Sequence, residues 1–304
     1  MLHNTQYIQD FMAYYNYPAE AVKAFTELEA LLDENEQFGA KQDALVEGYM
    51  GDKISLRDAL SELDKLSEEY GVNRYTLHFV FLMNCTPILK ENYAKRGVDE
   101  KIFWDTMADL RHKLIECIDC EEVPGTFVAD WNDGFFKMER FAYGRFQYEY
   151  GEYEGEDFTT ACGKVFKKGD PYIGFHIPSS GIPLTDDVRL DSYKQAYPHF
   201  KHLFPDGKVI FGTHSWLLFQ EHREFLPKHL NILRFMDDFE IIERSYQDTF
   251  TNGWRVFGKD SDLPIDQLPR KTSLQRAYAD WLLAGNKTGN AFGIIVFDGE
   301  KILR

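Results

Sequence analysis

The chain has 304 residues, 44% of them hydrophobic and 15% aromatic, and 34 Lys and Arg stand against 50 Asp and Glu for a net charge of −16. That is enough apolar material for one large core or two ordinary ones, rich in rings. An acid excess of this size offers no basic face to a nucleic-acid backbone or an anionic membrane, and no apolar run approaches a membrane span, so neither is an expected partner.

Residues 1 to about 122 read as helices, an all-helical first domain. The opening Met1-Leu2-His3-Asn4-Thr5-Gln6 carries no charged-then-apolar signal pattern, and the cytoplasm is the expected location. Tyr17-Pro18 sets a proline at a first helical position, with Ala21, Phe25, Leu28 and Leu32 following at helical spacing. Ser55 with Asp58 opens another helix whose inward residues are Leu56, Leu60, Leu63 and Leu66 and whose stop is Gly71. Tyr75 to Asn92 is more apolar and central, with Pro87 expected to kink or divide it; its Tyr75–Met83 part is a candidate surface for a homodimer. Asp99 caps a last helix with the stripe Phe103, Trp104, Met107, Leu110, Leu114 and Ile118. Cys117-Ile118-Asp119-Cys120 has redox or half-zinc spacing, but it ends that helix without a second pair, which is the pattern of a helix end carrying thiols.

Composition switches near Val123-Pro124-Gly125. Residues 1–125 hold 12 Lys and Arg against 24 Asp and Glu, and the remainder 22 against 26, so most of the acidity belongs to the first domain. From 123 to 304 strands and helices alternate. Phe136 to Tyr150 alternates as one strand, Val165-Phe166 and Tyr172 to Ile177 flank a Lys168-Gly169-Asp170 turn, and a helix runs from about 185 to 204. A strand at 208–213 and a helix at 215–226 precede short strands at 231–235, 239–245 and 254–257. Thr272 with Gln275 forms a capping box for a last helix striped by Leu274, Tyr278 and Trp281, and Ala291 to Phe297 is a final strand turning at Asp298-Gly299. This order predicts an α/β (α+β) second domain, a mixed sheet with flanking helices.

Two strands stop at a His and a Ser before a helix: Phe175-His176-Ile177-Pro178-Ser179-Ser180-Gly181, and Gly212-Thr213-His214-Ser215-Trp216. Strand ends that feed helix starts collect unpaired N–H groups and partial positive charge, where anionic ligands dock. His214 and Ser215 fit phosphate binding or, alternatively, a helix cap; His176 fits a general base or a turn-bound histidine; Glu149 and Arg145 fit substrate recognition or a cross-strand pair. His199, His202, His222 and His229 complete no familiar zinc spacing, so no metal is expected, and Gly-x-Ser-x-Gly is absent around Ser215, which disfavours a hydrolase.

Phe103-Trp104-Asp105, the run from Phe141 to Glu149, Phe175-His176-Ile177-Pro178, the run from Thr213 to Leu218, and Asn231-Ile232-Leu233-Arg234-Phe235 together resemble a family of predicted two-domain acyltransferases. That family joins a helical N-acyltransferase-type N-terminal domain, here 1–122, to a GNAT-like C-terminal domain, here 123–304. The resemblance implies transfer of an acyl group from acyl-CoA, acetyl-CoA foremost, to an unidentified amine. It implies Gly212, Thr213, His214, Ser215 and Trp216 as the CoA-binding strip, and Glu149, His176 and Tyr278 as catalytic candidates, Tyr278 protonating the thiolate unless it merely packs in its stripe. The Arg/Gln-x-x-Gly-x-Gly/Ala phosphate loop of better-known GNAT enzymes is not found here. That departure supports an alternative, a GNAT-like module without catalysis that binds a small ligand or a protein.

Overall fold

Apolar residues three and four apart wind the first part of the chain into α1 (Thr5–Tyr14), α2 (Ala19–Glu34), α3 (Glu36–Met50), α4 (Leu56–Tyr70), α5 (Arg74–Lys95) and α6 (Glu100–Glu121), followed by the single turn α7 (Asp133–Phe136). The computed structural model describes residues 5–304, and Cα proximity divides them into two units between Phe141 and Ala142. The caps read from the sequence are in place: Ser55 Oγ accepts from Asp58 N at 3.1 Å, Asp99 Oδ1 accepts from Lys101 N at 2.8 Å, and Gly71 ends α4 in the left-handed region. α5 runs undivided through Pro87. The proline leaves the Met83 carbonyl without its amide donor, and the Thr86 hydroxyl supplies one at 2.6 Å. Leu77 and Phe79 to Met83 are buried inside this same unit. Cys117 is buried within α6, and burial pushes its thiol up to about 12.

The composition change at 123–125 comes before the break in packing. The segment beyond it still lies on the helices, with Thr126 N bonded to Tyr75 O at 3.1 Å and Trp131 Nε1 to Asp109 at 3.1 Å.

The second unit is built on a sheet. The stretch expected as one strand over 136–150 is a hairpin, β1 (Arg140–Tyr143) and β2 (Phe146–Glu152), because Gly144 adopts φ 63° and turns the chain. There follow β3 (Phe158–Thr159), β4 (Val165–Phe166), β5 (Pro171–His176), α8 (Asp186–Phe200), β6 (Val209–Ser215), α9 (His222–Phe225), α10 (Asn231–Met236), β7 (Glu240–Gln247), α11 (Trp254–Phe257), α12 (Ser273–Leu283), β8 (Thr288–Phe297) and β9 (Ile302–Leu303). The expected strands at 231–235 and 254–257 are therefore α10 and α11. The expected helix at 215–226 is a 3-10 turn, Trp216–Leu218, and then the single turn α9. The α12 capping box is present.

Sheet order is β1-β2-β5-β6-β8-β7, with β9 on β8, while β3 and β4 pair separately. β2–β5, β6–β8, β7–β8 and β8–β9 are antiparallel, and β5–β6 is parallel. On one face Phe146, Phe175, Phe211 and Phe297 pack around Tyr193 of α8. Ser192 locks that helix down, its hydroxyl donating to Tyr143 O at 2.5 Å and accepting from Phe146 N at 3.1 Å. The opposite face carries the polar candidates.

Candidate functional site

β5 and β6 lie side by side for only two residue pairs, Ile173 with Phe211 and Gly174 with Gly212. Beyond them β5 continues to His176 paired with β2 on its outer side, and β6 continues to Ser215 paired with β8. The inner edges of 175–176 and 213–215 have no ladder with each other, so the sheet opens there as a V whose apex is the Gly174–Gly212 pair. Edges of this kind hold an extended polar chain by strand-type hydrogen bonds. The segment 231–236, expected as a strand, is helical, and the strand across the gap from β6 is β5.

Side-chain alternation decides which residues face the opening. Glu149 lies across from Gly174, Gln147 across from His176, and Phe292 across from His214, so Glu149, His176 and His214 share one face of the sheet. His176 Nε2 and Glu149 Oε1 are 2.6 Å apart, both side chains about 30% exposed. A neutral imidazole that donates Nε2–H to a carboxylate presents Nδ1 as its basic nitrogen, the arrangement of an oriented base. His214 is exposed, whereas Thr213 and Ser215 turn inward. The Ser215 hydroxyl accepts from Leu217 N at 3.2 Å and starts the 3-10 turn, which is the capping role. Gly212 provides room for side chains: a Cβ there would come 2.9 Å from Tyr172 Cδ2 and 3.1 Å from Phe292 Cζ.

Tyr278 stands apart from Glu149 and His176. Its ring is 1% exposed, stacks on Phe250 at 4.6 Å, and meets Phe225 and Trp216 edge-on. Its hydroxyl lies 2.5 Å from Nε2 of the fully buried His222, and burial holds that imidazole down to about 4, uncharged at neutral pH. Trp216 joins this cluster to the end of β6.

Arg145 is not on a strand face. It follows the Gly144 turn, is buried, and donates to Pro178 O at 2.9 Å and Ile182 O at 3.0 Å; burial pushes its guanidinium down to about 10. Arg189 of α8 donates to Leu184 O at 2.6 Å and reaches both Asp238 oxygens, at 2.7 and 3.0 Å. The two guanidinium groups thus draw in three carbonyls of the 177–185 loop between β5 and α8. Trans peptides whose carbonyls turn inward at Pro178 and Leu184 direct the N–H groups of Ser179 and Thr185 the opposite way. Asp186 and Asp187 follow in the first turn of α8 and offset part of the positive potential there. Sequence reasoning singled out the strand end at 175–181 but missed the Arg145 and Arg189 clamp on the loop that follows, together with the placement of Tyr172 and His222. The available signal was glycine inside three strands, at Gly151, Gly174 and Gly212, which marks close approach of another group to backbone.

Among the described residues no group of three or more His, Cys, Asp or Glu is arranged to hold a metal ion, and no helix is long and apolar enough to cross a membrane.

The sequence pattern of the GNAT-like C-terminal domain matches residues 141–295, and that of the N-acyltransferase N-terminal domain matches residues 6–138. Among solved structures, an acyltransferase in complex with decanoyl-CoA and teicoplanin is similar with TM-score 0.68 and 19% identity, covering 95% of this chain and 87% of that one. An acyltransferase in complex with decanoyl-CoA is similar with TM-score 0.65 and 22% identity over 94% and 86%. A mutant acyltransferase in complex with octanoyl-CoA is similar with TM-score 0.68 and 19% identity over 95% and 87%. At these identities the likeness is one of fold. No curated protein matches the chain.

Proposed function

Because the chain belongs to the family that joins an N-acyltransferase N-terminal domain to a GNAT-like C-terminal domain, we propose that it transfers an acyl group from acyl-CoA to an amine. The observation that carries this reading is the two-pair register of β5 and β6, which opens the sheet directly beside the Glu149–His176 pair. The pantetheine arm lies in the V along 175–177 and 212–216, so that Gly212 to Trp216 line the cofactor's thioester end. Its phosphates meet the 177–185 loop, whose outward N–H groups donate to anions without a glycine-rich string. That the structures similar to this one hold octanoyl- or decanoyl-CoA supports acyl-CoA as the donor.

In the reaction the amine nitrogen attacks the thioester carbonyl, a C–N bond forms and the C–S bond breaks. The amine proton passes to His176, whose imidazolium is stabilised by the Glu149 carboxylate. The departing thiolate takes up the proton that His176 has accepted, since the Tyr278 hydroxyl is turned to buried His222 and away from the opening. The test is thermal denaturation with acetyl-CoA and butyryl-CoA. Ligand at about 100 times its Kd stabilises the folded state by about 2.7 kcal/mol and raises the melting temperature; no rise at millimolar acyl-CoA contradicts the proposal.

A further inference from the structure

Tyr172 lies on β5 two residues before the apex of the V and on the same face as Glu149 and His176. Its ring lies down across the sheet instead of standing up from it. A Cβ at Gly151 would come 2.8 Å from Tyr172 Cε1, one at Gly212 2.9 Å from Cδ2, and one at Gly174 3.6 Å from Cε2. Three glycines on three neighbouring strands thus make a floor for one ring. Any side chain at Gly151 or Gly212 would lift it.

The ring is also held from behind. Phe292 meets it edge-on at 5.6 Å and Phe166 at 6.2 Å; Tyr153 stacks on Phe166 at 4.1 Å and on Phe292 at 6.2 Å. Phe166, Tyr153 and Phe292 are buried, while Tyr172 is half-buried and forms the side of this cluster that faces the opening. Burial and the nearby Glu149 charge both raise its hydroxyl pKa.

From this arrangement we infer that Tyr172 closes the apex of the V and limits the donor to short acyl groups. The inference rests on the acyl-CoA reading above and adds to it a class of acyl chain. A thioester carbonyl beside His176 sends its tail along the open face toward Gly174. The strand offers only about 7 Å between Gly174 and Tyr172, at about 3.3 Å per residue, and the ring overlies part of that. An acetyl or butyryl group ends before the ring. An octanoyl group meets it, with three buried rings behind that cannot retreat.

The experiment is calorimetric titration of acetyl-, butyryl-, octanoyl- and decanoyl-CoA into the full-length protein and into Tyr172→Phe, Tyr172→Ala and Tyr172→Leu. The expected result is preference for acetyl- and butyryl-CoA in the wild type and in Tyr172→Phe, which keeps the ring. Tyr172→Ala is expected to move the octanoyl-to-acetyl affinity ratio at least tenfold toward octanoyl-CoA. Tyr172→Leu, which fills more of the vacated space and guards against loss of the fold in Tyr172→Ala, shifts it in the same direction. A wild type that binds octanoyl-CoA as well as acetyl-CoA overturns the inference, as does an unchanged ratio in the Ala and Leu variants, and in both cases acyl-CoA binding stands. Binding of no acyl-CoA by the wild type overturns the acyl-CoA reading itself and this inference with it.

Discussion

His222 is an imidazole that this fold keeps neutral. It is fully buried among Trp216, Phe219, Phe225 and Tyr278, with Tyr278 Oη 2.5 Å from Nε2, and burial lowers its pKa from 6.5 to about 4. The sign of the pH effect follows from proton counting. Between about 4 and 6.5 the unfolded chain holds a proton on this residue that the folded chain does not, so stability falls as pH drops through that window. From pH 7.5 to pH 5 the loss from this residue is on the order of 2 kcal/mol. Urea unfolding at the two pH values, wild type against His222→Gln, measures it. The variant is expected to lose about 2 kcal/mol less over that interval, and an equal loss in both proteins contradicts the account. Neither His222 nor Tyr172 announced itself in the sequence. A histidine six residues after Trp216 reads the same on the surface as in a core, and a tyrosine is told from its neighbours only by what lies under its ring. Glu149 was legible as a polar residue on a strand face and His176 as the end of another strand, but that they share a face and meet at 2.6 Å follows only from the β2–β5 register.

The loop between β5 and α8 is the element whose shape depends most on charged groups. Arg145 donates to the carbonyls of Pro178 and Ile182 from inside the protein, so Arg145→Ala leaves the Ile182 carbonyl without this donor and the Pro178 carbonyl to Ser180 N, and costs about 1–3 kcal/mol. Amide exchange over 178–184 is expected to quicken in that variant while α12 keeps its protection. Arg145→Lys restores only part of the loss, because an ammonium lacks the guanidinium fork that reaches both oxygens. Unchanged exchange in Arg145→Ala contradicts the clamp. Elements with their own local signals were legible: the Ser55, Asp99 and Thr272 caps, the Gly71 stop, and α2 with its buried Ala21, Phe25, Leu28 and Leu32. Short apolar runs without period were not. Asn231-Ile232-Leu233-Arg234-Phe235 and Trp254-Arg255-Val256-Phe257 carry residues at home in strands, yet each is tied by turn hydrogen bonds, Leu233 N to Leu230 O and Phe257 N to Gly253 O, into a helical turn. The segment after His214 has a helical pattern, yet β8 carries the ladder on to Ser215 and leaves only a 3-10 turn beyond it.

At the scale of the molecule, the two-part division shows in composition, in the family matches and in the packing, which places the break between Phe141 and Ala142. The sheet unit has only a small acid excess, so the proposed binding of a phosphorylated carrier is assigned to backbone amides and to the opening between β5 and β6. Salt therefore affects binding weakly, and the contacts are confined to the V and the loop beside it. The most direct measurement is amide hydrogen exchange of the full-length protein with and without acetyl-CoA. The account predicts slower exchange at 174–185 and 212–216 on adding the ligand, with the outer strand β7 unchanged. Millimolar acetyl-CoA that leaves those two segments exchanging at the free-protein rate contradicts it.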